Sequence, residues 1–211
     1  MKFSLNLLSA AAAFGLSSMA LPALAIDYTL DNGGSAFATP GNYGTVSLTQ
    51  DGTSVDFSIT LAPTFSFVTT GNANSHVLFG FNAAGVVVGD ISGITSGSGG
   101  AFTVGADATG SPFGDFNFGI YCTNCQNGAP GAKTPPLTFT VANATLADFA
   151  FLSTGGKPSA FFTADVISGA NTGQVGATGM TPPVPEPGTY ALMFAGLGVV
   201  GFMARRRKQQ A

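Results

Sequence analysis

Two cysteines three positions apart, one histidine and nine aspartates are the side chains in this 211-residue chain with the means to do chemistry. Cys122 and Cys125 stand in Tyr-Cys-Thr-Asn-Cys-Gln. A Cys-x-x-Cys pair serves redox chemistry where a helix N-terminus lowers a thiol pKa, and zinc where further Cys or His residues complete four ligands. Here the pair follows a strand-like run, precedes Gly and Pro, and has only His76 to draw on. A local disulfide pinning a loop in an oxidising compartment is the reading that fits. His76 opens the strand-like segment Asn-Ser-His-Val-Leu, and no Gly-x-Ser-x-Gly elbow accompanies it.

Paired carboxylates would be needed for glycoside hydrolysis. The single Glu is Glu186, so a pair must come from Asp27, Asp31, Asp51, Asp56, Asp90, Asp107, Asp115, Asp148 and Asp165. Asp51 is accounted for by an Asp-Gly turn and Asp148 by a helix cap. Asp90, Asp107 and Asp115 lie near glycine-rich stretches and have the oxygen chemistry Ca²⁺ prefers, but no EF-hand or nonapeptide spacing joins them. The triplet Asn143-Ala-Thr145 is formally a glycosylation sequon, with Thr145 in competing use as a cap. No catalytic residue, metal or cofactor is expected, and the chain reads as a non-enzyme.

Composition narrows the partners. Charged residues are 8% of the chain, against about 25% in typical soluble proteins. Between the two ends only Lys133 and Lys157 are basic, and every Arg lies in the Arg205–Arg207 tip. Nucleic acid is excluded, since phosphate contacts need clustered Lys and Arg. With 30 Gly, 19 Phe and no Trp, the chain resembles a β-rich secreted protein kept soluble by hydroxyls and amides, its Phe residues assigned to the core.

The elements that must position these groups are short strands. Val46–Leu61 alternates apolar and polar residues about Asp51-Gly52, and a two-residue loop there would pair Leu48 with Val55 and Val46 with Phe57. Shared faces are also expected for Val77, Phe79 and Phe81, for Phe116, Phe118, Ile120 and Cys122, for Leu137, Phe139 and Val141, and for Phe162, Ala164 and Val166. Val86-Val87-Val88 is a candidate central strand, and Thr145-x-x-Asp148 a capped helical turn. Ile91–Gly114 reads as loop. The fold class is mainly β: an antiparallel β-sandwich or jelly-roll-like body over 26–168. Residues 169–183 read as a flexible Gly/Thr/Pro spacer.

Both ends read as addresses. Residues 1–25 have the form of a signal peptide: Lys2, an apolar stretch, and Ala23-Leu24-Ala25 as the cleavage site for signal peptidase. Residues 184–211 open with Val184-Pro185-Glu186-Pro187 and continue into an apolar run at 189–204. As a helix that run spans about 24 Å against a hydrocarbon core of about 30 Å, a marginal single transmembrane helix. Arg205, Arg206, Arg207 and Lys208 form a basic stop-transfer tip that the positive-inside rule holds in the cytoplasm.

This order of motif, helix and basic tip behind a signal peptide resembles the PEP-CTERM sorting signal of exosortase substrates. The resemblance implies a Gram-negative bacterium and export through the inner membrane. A transient membrane anchor would hold the body in the periplasm until exosortase processing sends it to the cell surface or beyond. It also implies a structural or adhesive matrix role linked to exopolysaccharide and biofilm. The alternatives are a secreted carbohydrate-binding module and, behind it, a polysaccharide-active hydrolase.

Overall fold

The alternation from Val46 to Leu61 folds as a hairpin whose apolar side is buried from Val46 to Ile59, and two sheets are assembled around it. The computed structural model describes residues 24–70, 77–126, 128–179 and 196–197. Twelve strands follow in chain order: β1 (Ala25–Leu30), β2 (Gly44–Asp51), β3 (Ser54–Leu61), β4 (Ser66–Phe67), β5 (Phe79–Phe81), β6 (Ile91–Ser96), β7 (Phe102–Thr109), β8 (Gly114–Cys122), β9 (Leu137–Ala142), β10 (Thr154–Gly155), β11 (Phe162–Ser168) and β12 (Asn171–Ala177).

The first sheet has the order β1-β2-β3-β9-β6, every pairing antiparallel. In the second, β7 runs the length of β8 on one side while β5 and β10 share the other. β11 likewise carries β12 on one side and both β5 and β4 on the other. A bridge between Asn32 and Gly176 ties the chain after β1 to β12, and the Asp31 carboxylate accepts from the Thr178 N–H at 2.8 Å.

Phenylalanine rings join the sheets. Phe57 of β3 lies 5.5 Å from Phe81 of β5 and 6.1 Å from Phe162 of β11, ring centre to ring centre. Phe139 of β9 stacks on Phe57 at 4.4 Å and reaches Phe81 at 5.5 Å. Such offset and edge contacts are the arrangements that the ring quadrupole favours. Two antiparallel sheets closed over one apolar core make the body a β-sandwich.

Several local expectations change in the folded chain. The hairpin loop is Gly52-Thr53, so Leu48 pairs with Phe57 and Val46 with Ile59. This is two residues along β3 from the register that an Asp51-Gly52 loop would set. A slip of two preserves which side chains face inward, whereas a slip of one reverses them. Gly52 has φ 57° at the first central position, where a type II′ turn needs it. The Gln50 amide secures the register, donating to the Gly52, Ser54 and Ala144 carbonyls at 3.0–3.1 Å and accepting from the Leu146 N–H.

The 91–114 stretch, expected as loop, contains β6 and β7 and the start of β8. Residues 169–183, expected as spacer, hold β12 up to Ala177, zipped to β11 through seven pairs. Its glycines serve packing: a Cβ on Gly176 would come within 2.6 Å of the Phe113 ring. The ordered body therefore continues past 168. Val86–Val88 is no strand, because Val87 and Val88 are exposed and Val88–Asp90 forms a 3₁₀ turn. Phe116 leaves the face of Phe118 and joins Val77, Ala108, Phe113 and Ala160 in a second cluster. Asp107, at φ 54°, interrupts the β7–β8 ladder at that point.

The capped turn at Leu146–Phe149 forms as its sequence indicates. The Asp148 carboxylate accepts from the Thr145 N–H at 2.7 Å and its hydroxyl at 2.9 Å, while Leu146 and Phe149 plug the core. Asp148→Ala is expected to cost about 1 kcal/mol. A thermal melt of the secreted chain would read this as a fall of about 2–4 °C, and an unchanged midpoint would show that the cap carries no stability.

Candidate functional site

Cys122 and Cys125 are joined in a disulfide, with Cα atoms 5.5 Å apart. Both are fully buried within the main core. The Cys125 carbonyl accepts from the Thr69 N–H at 2.9 Å, so the bridge anchors the chain after β4 as well as its own turn. Neither of these two sulfurs is presented at the surface. His76, Ala23, Val184–Pro187 and Arg205–Lys208 lie outside the described residues, as does all of the 189–204 run except Gly196 and Leu197. Ala25 is the first residue of β1, paired with Thr49. Cleavage after it would leave the strand from Ile26 onward.

Most of the aspartates are engaged in holding the fold. Asp56 accepts from the Thr140 hydroxyl at 2.6 Å, and the buried Asp165 accepts from the Thr70 N–H and hydroxyl. Asp90 accepts from the Val87 N–H and the Asn143 amide, both at 2.9 Å. These bonds favour its ionised form and hold its pKa below the ordinary carboxylate value, the Val87 bond most and the Asn143 bond next. The Asn143 side chain of the sequon is thus already bonded. Among the described residues no three His, Cys, Asp or Glu side chains converge as a metal site.

Asp107 and Asp115 are different: both face one open cleft. Along β8, Asp115 and Asn117 point outward between buried Phe116 and Phe118. Thr154 of β10 pairs beside Asp115, and Thr109 at the end of β7 donates its hydroxyl to the Asp115 carboxylate at 2.7 Å. With Asp107 and Phe116 these residues line a space of about 410 Å³. A second lobe of about 270 Å³ shares Asp115, Asn117 and Thr154 with the first. It continues past Asn82, Ala83 and Ala84 to Phe151 and Leu152. The two lobes adjoin at the three shared residues along the β8–β10 border, and together they are referred to as the trough.

The rim is built with care for so short a segment. Buried Asn82 accepts from the Asn117 N–H at 2.8 Å and donates to the Phe151 carbonyl at 3.4 Å. Ser153, also buried, receives the Ala160 N–H on its hydroxyl and gives that hydroxyl to the Phe113 carbonyl. Between these anchors Phe151 and Leu152 project into solvent, 49% and 48% exposed. Tyr121 lies along the same strand, where burial first and the Asp107 charge second raise its pKa. The sequence offered no signal that Asn82 and the Phe151–Thr154 segment would be neighbours of Asp115 and Asn117, since they come from three separate segments.

The trough itself points to no family; the chain's other end carries a motif that can be matched. Residues 183–208 match the PEP-CTERM protein-sorting motif. The chain carries a PEP-CTERM sorting signal. The match spans Val184–Pro187 and the Arg205–Lys208 tip, beginning one residue ahead of Val184. A PEP-CTERM signal marks an exported protein, sorted to the cell surface and processed by an exosortase. Among the described residues no helix is long and apolar enough to cross a membrane. No curated protein and no solved structure matches the chain, so the PEP-CTERM match concerns its address and the body must be read from its own geometry.

Proposed function

We propose that this protein is exported, released or transferred by exosortase, and then serves as a non-catalytic structural or adhesive component of an exopolysaccharide-containing matrix. The PEP-CTERM signal carries this reading, because it sets the destination of the body. The body suits that destination. Its interior is filled with phenylalanine and closed by a buried disulfide, and its surface is rich in hydroxyls and amides. A surface so poor in charge leaves hydrogen bonding and apolar contact as its means of adhesion.

A secreted carbohydrate-binding module is the second reading, favoured by the trough lined by Asp115, Asn117, Thr154 and Phe151. Both readings predict that the secreted body sediments with exopolysaccharide purified from its own host. A body that stays in the supernatant at every polysaccharide concentration would remove the adhesive role. Fragmentation of the polysaccharide during the incubation, lost on changing Asp107 or Asp115 to Asn, would instead make the protein a hydrolase.

A further inference from the structure

The trough has features that select among polysaccharides. One wall ends in the exposed Phe151 ring next to Leu152, while the floor and opposite lobe present the polar groups of Asp115, Asn117, Thr154, Thr109 and Asp107. An apolar platform beside a row of amide, hydroxyl and carboxylate oxygens matches a pyranose chain. The C–H face of such a chain is apolar and its edge carries alternating hydroxyl donors and acceptors. A carboxylate accepts strongly from sugar hydroxyls.

Charge then narrows the class. Asp107 and Asp115 are the trough's ionisable lining, and neither Lys133 nor Lys157 contributes to it. A uronate or sulfated chain would bring its own negative charges against two carboxylates with no Lys or Arg among the described lining residues, a repulsive juxtaposition. We propose that the Phe151–Asp107 trough binds a segment of an uncharged polysaccharide, with Phe151 as the stacking platform and Asp115, Asn117 and Thr154 bonding its hydroxyls. This rests on the adhesive reading above and specifies its ligand.

The anchoring of the rim supports a preformed site. Phe151 is held through its carbonyl by Asn82, and Ser153 fixes the next turn of chain from below. The backbone that carries the ring therefore needs little ordering when a sugar arrives, which conserves affinity. Two adjoining lobes also suit consecutive sugar units better than a single small molecule.

Calorimetric titration of the processed body, as secreted by its host, tests this. The neutral probes are cello- and manno-oligosaccharides, and alginate oligouronates are the anionic one. Saturable binding to at least one neutral probe, with none to the oligouronates, is expected. Phe151→Ala should weaken that binding about tenfold by removing the apolar contact, and Phe151→Tyr should keep it. Thermal melts of both variants should match the unaltered chain, since the side chain is half exposed.

Failure of every neutral probe, or equal binding of oligouronates, would overturn the proposal. So would Phe151→Ala binding at full strength with an unchanged melt. If the body nonetheless sediments with its host's exopolysaccharide, the adhesive reading survives and the trough is not its basis.

Discussion

Changing Pro185-Glu186-Pro187 to three alanines is expected to leave the chain at precursor mass in the inner-membrane fraction, with little or none released. The argument begins with proline. Two prolines around Glu186 fix φ, and each biases the residue before it toward an extended backbone. A protease must open a backbone before it can reach the peptide bond, and a helix hides that bond within its own hydrogen bonds. Alanine is the strongest helix former, so the substitution would favour helix through 185–187, continuous with the helix expected from the apolar sequence of 189–204. The extended segment and the Glu186 carboxylate would be lost together. On the expectation that the apolar run and the Arg205–Lys208 tip anchor the precursor, both are untouched and the unprocessed chain would stay with the membrane. Blotting of membrane and culture fractions against the body reads the outcome directly. If altered and unaltered chains fractionate and migrate alike, the PEP-CTERM residues do not direct processing.

The largest effect inside the body is expected at Phe57. Its ring is 2% exposed and stacks on Phe139 at 4.4 Å with the planes 14° apart. It meets Phe149 edge-on at 4.9 Å and faces Phe81 and Phe162 of the opposite sheet. Phe57→Ala removes the shared neighbour of four rings drawn from both sheets and from the capped turn. Rigid aromatic walls collapse poorly into the space left, and such truncations cost about 3–5 kcal/mol. That is a large fraction of the roughly 5–15 kcal/mol by which domains are stable. The melting midpoint of the secreted chain should fall by about 10 °C or more. Phe57→Leu, which retains most of the buried volume, should lose much less. An alanine variant melting within about 2 °C of the unaltered chain would mean that the sheets are not held together through this ring.

These two results bear on different layers of the molecule, and the layers differ in how far they can be read before folding. The sorting signal is legible because it acts as a linear segment: Val184–Pro187, the apolar run and the basic tip are recognised in chain order. The capped turn at Thr145–Asp148 is legible for the same reason, its bonds spanning three residues. The inward faces of β2, β3 and β9 follow from alternation, which a sheet buried on one side imposes along each strand. The closeness of Cys122 and Cys125 in sequence likewise pointed to their bond.

What lies beyond local pattern was decided by the partner strand. The sequence Asn171–Ala177 carries little apolar periodicity, yet it is a strand because β11 supplies its hydrogen bonds and Phe113 fills the space its Gly176 leaves open. β7 is likewise a strand through its pairing along β8, although the glycines on either side of Phe102–Thr109 make the stretch read as loop. The hairpin register was moved by Gln50, whose side chain reaches Ala144 and Leu146, about ninety residues away in the chain. The trough is the extreme case. Asp107, Asp115 and Asn117 sit on one strand pair, while Asn82, Phe151 and Thr154 arrive from distant segments. The sequence by itself determined where the protein is sent and which strand faces are apolar, because those depend on order and spacing along one segment. Tertiary structure alone decided which polar groups meet around Phe151, because side chains from separate segments become neighbours only when the sheets pair and the core closes.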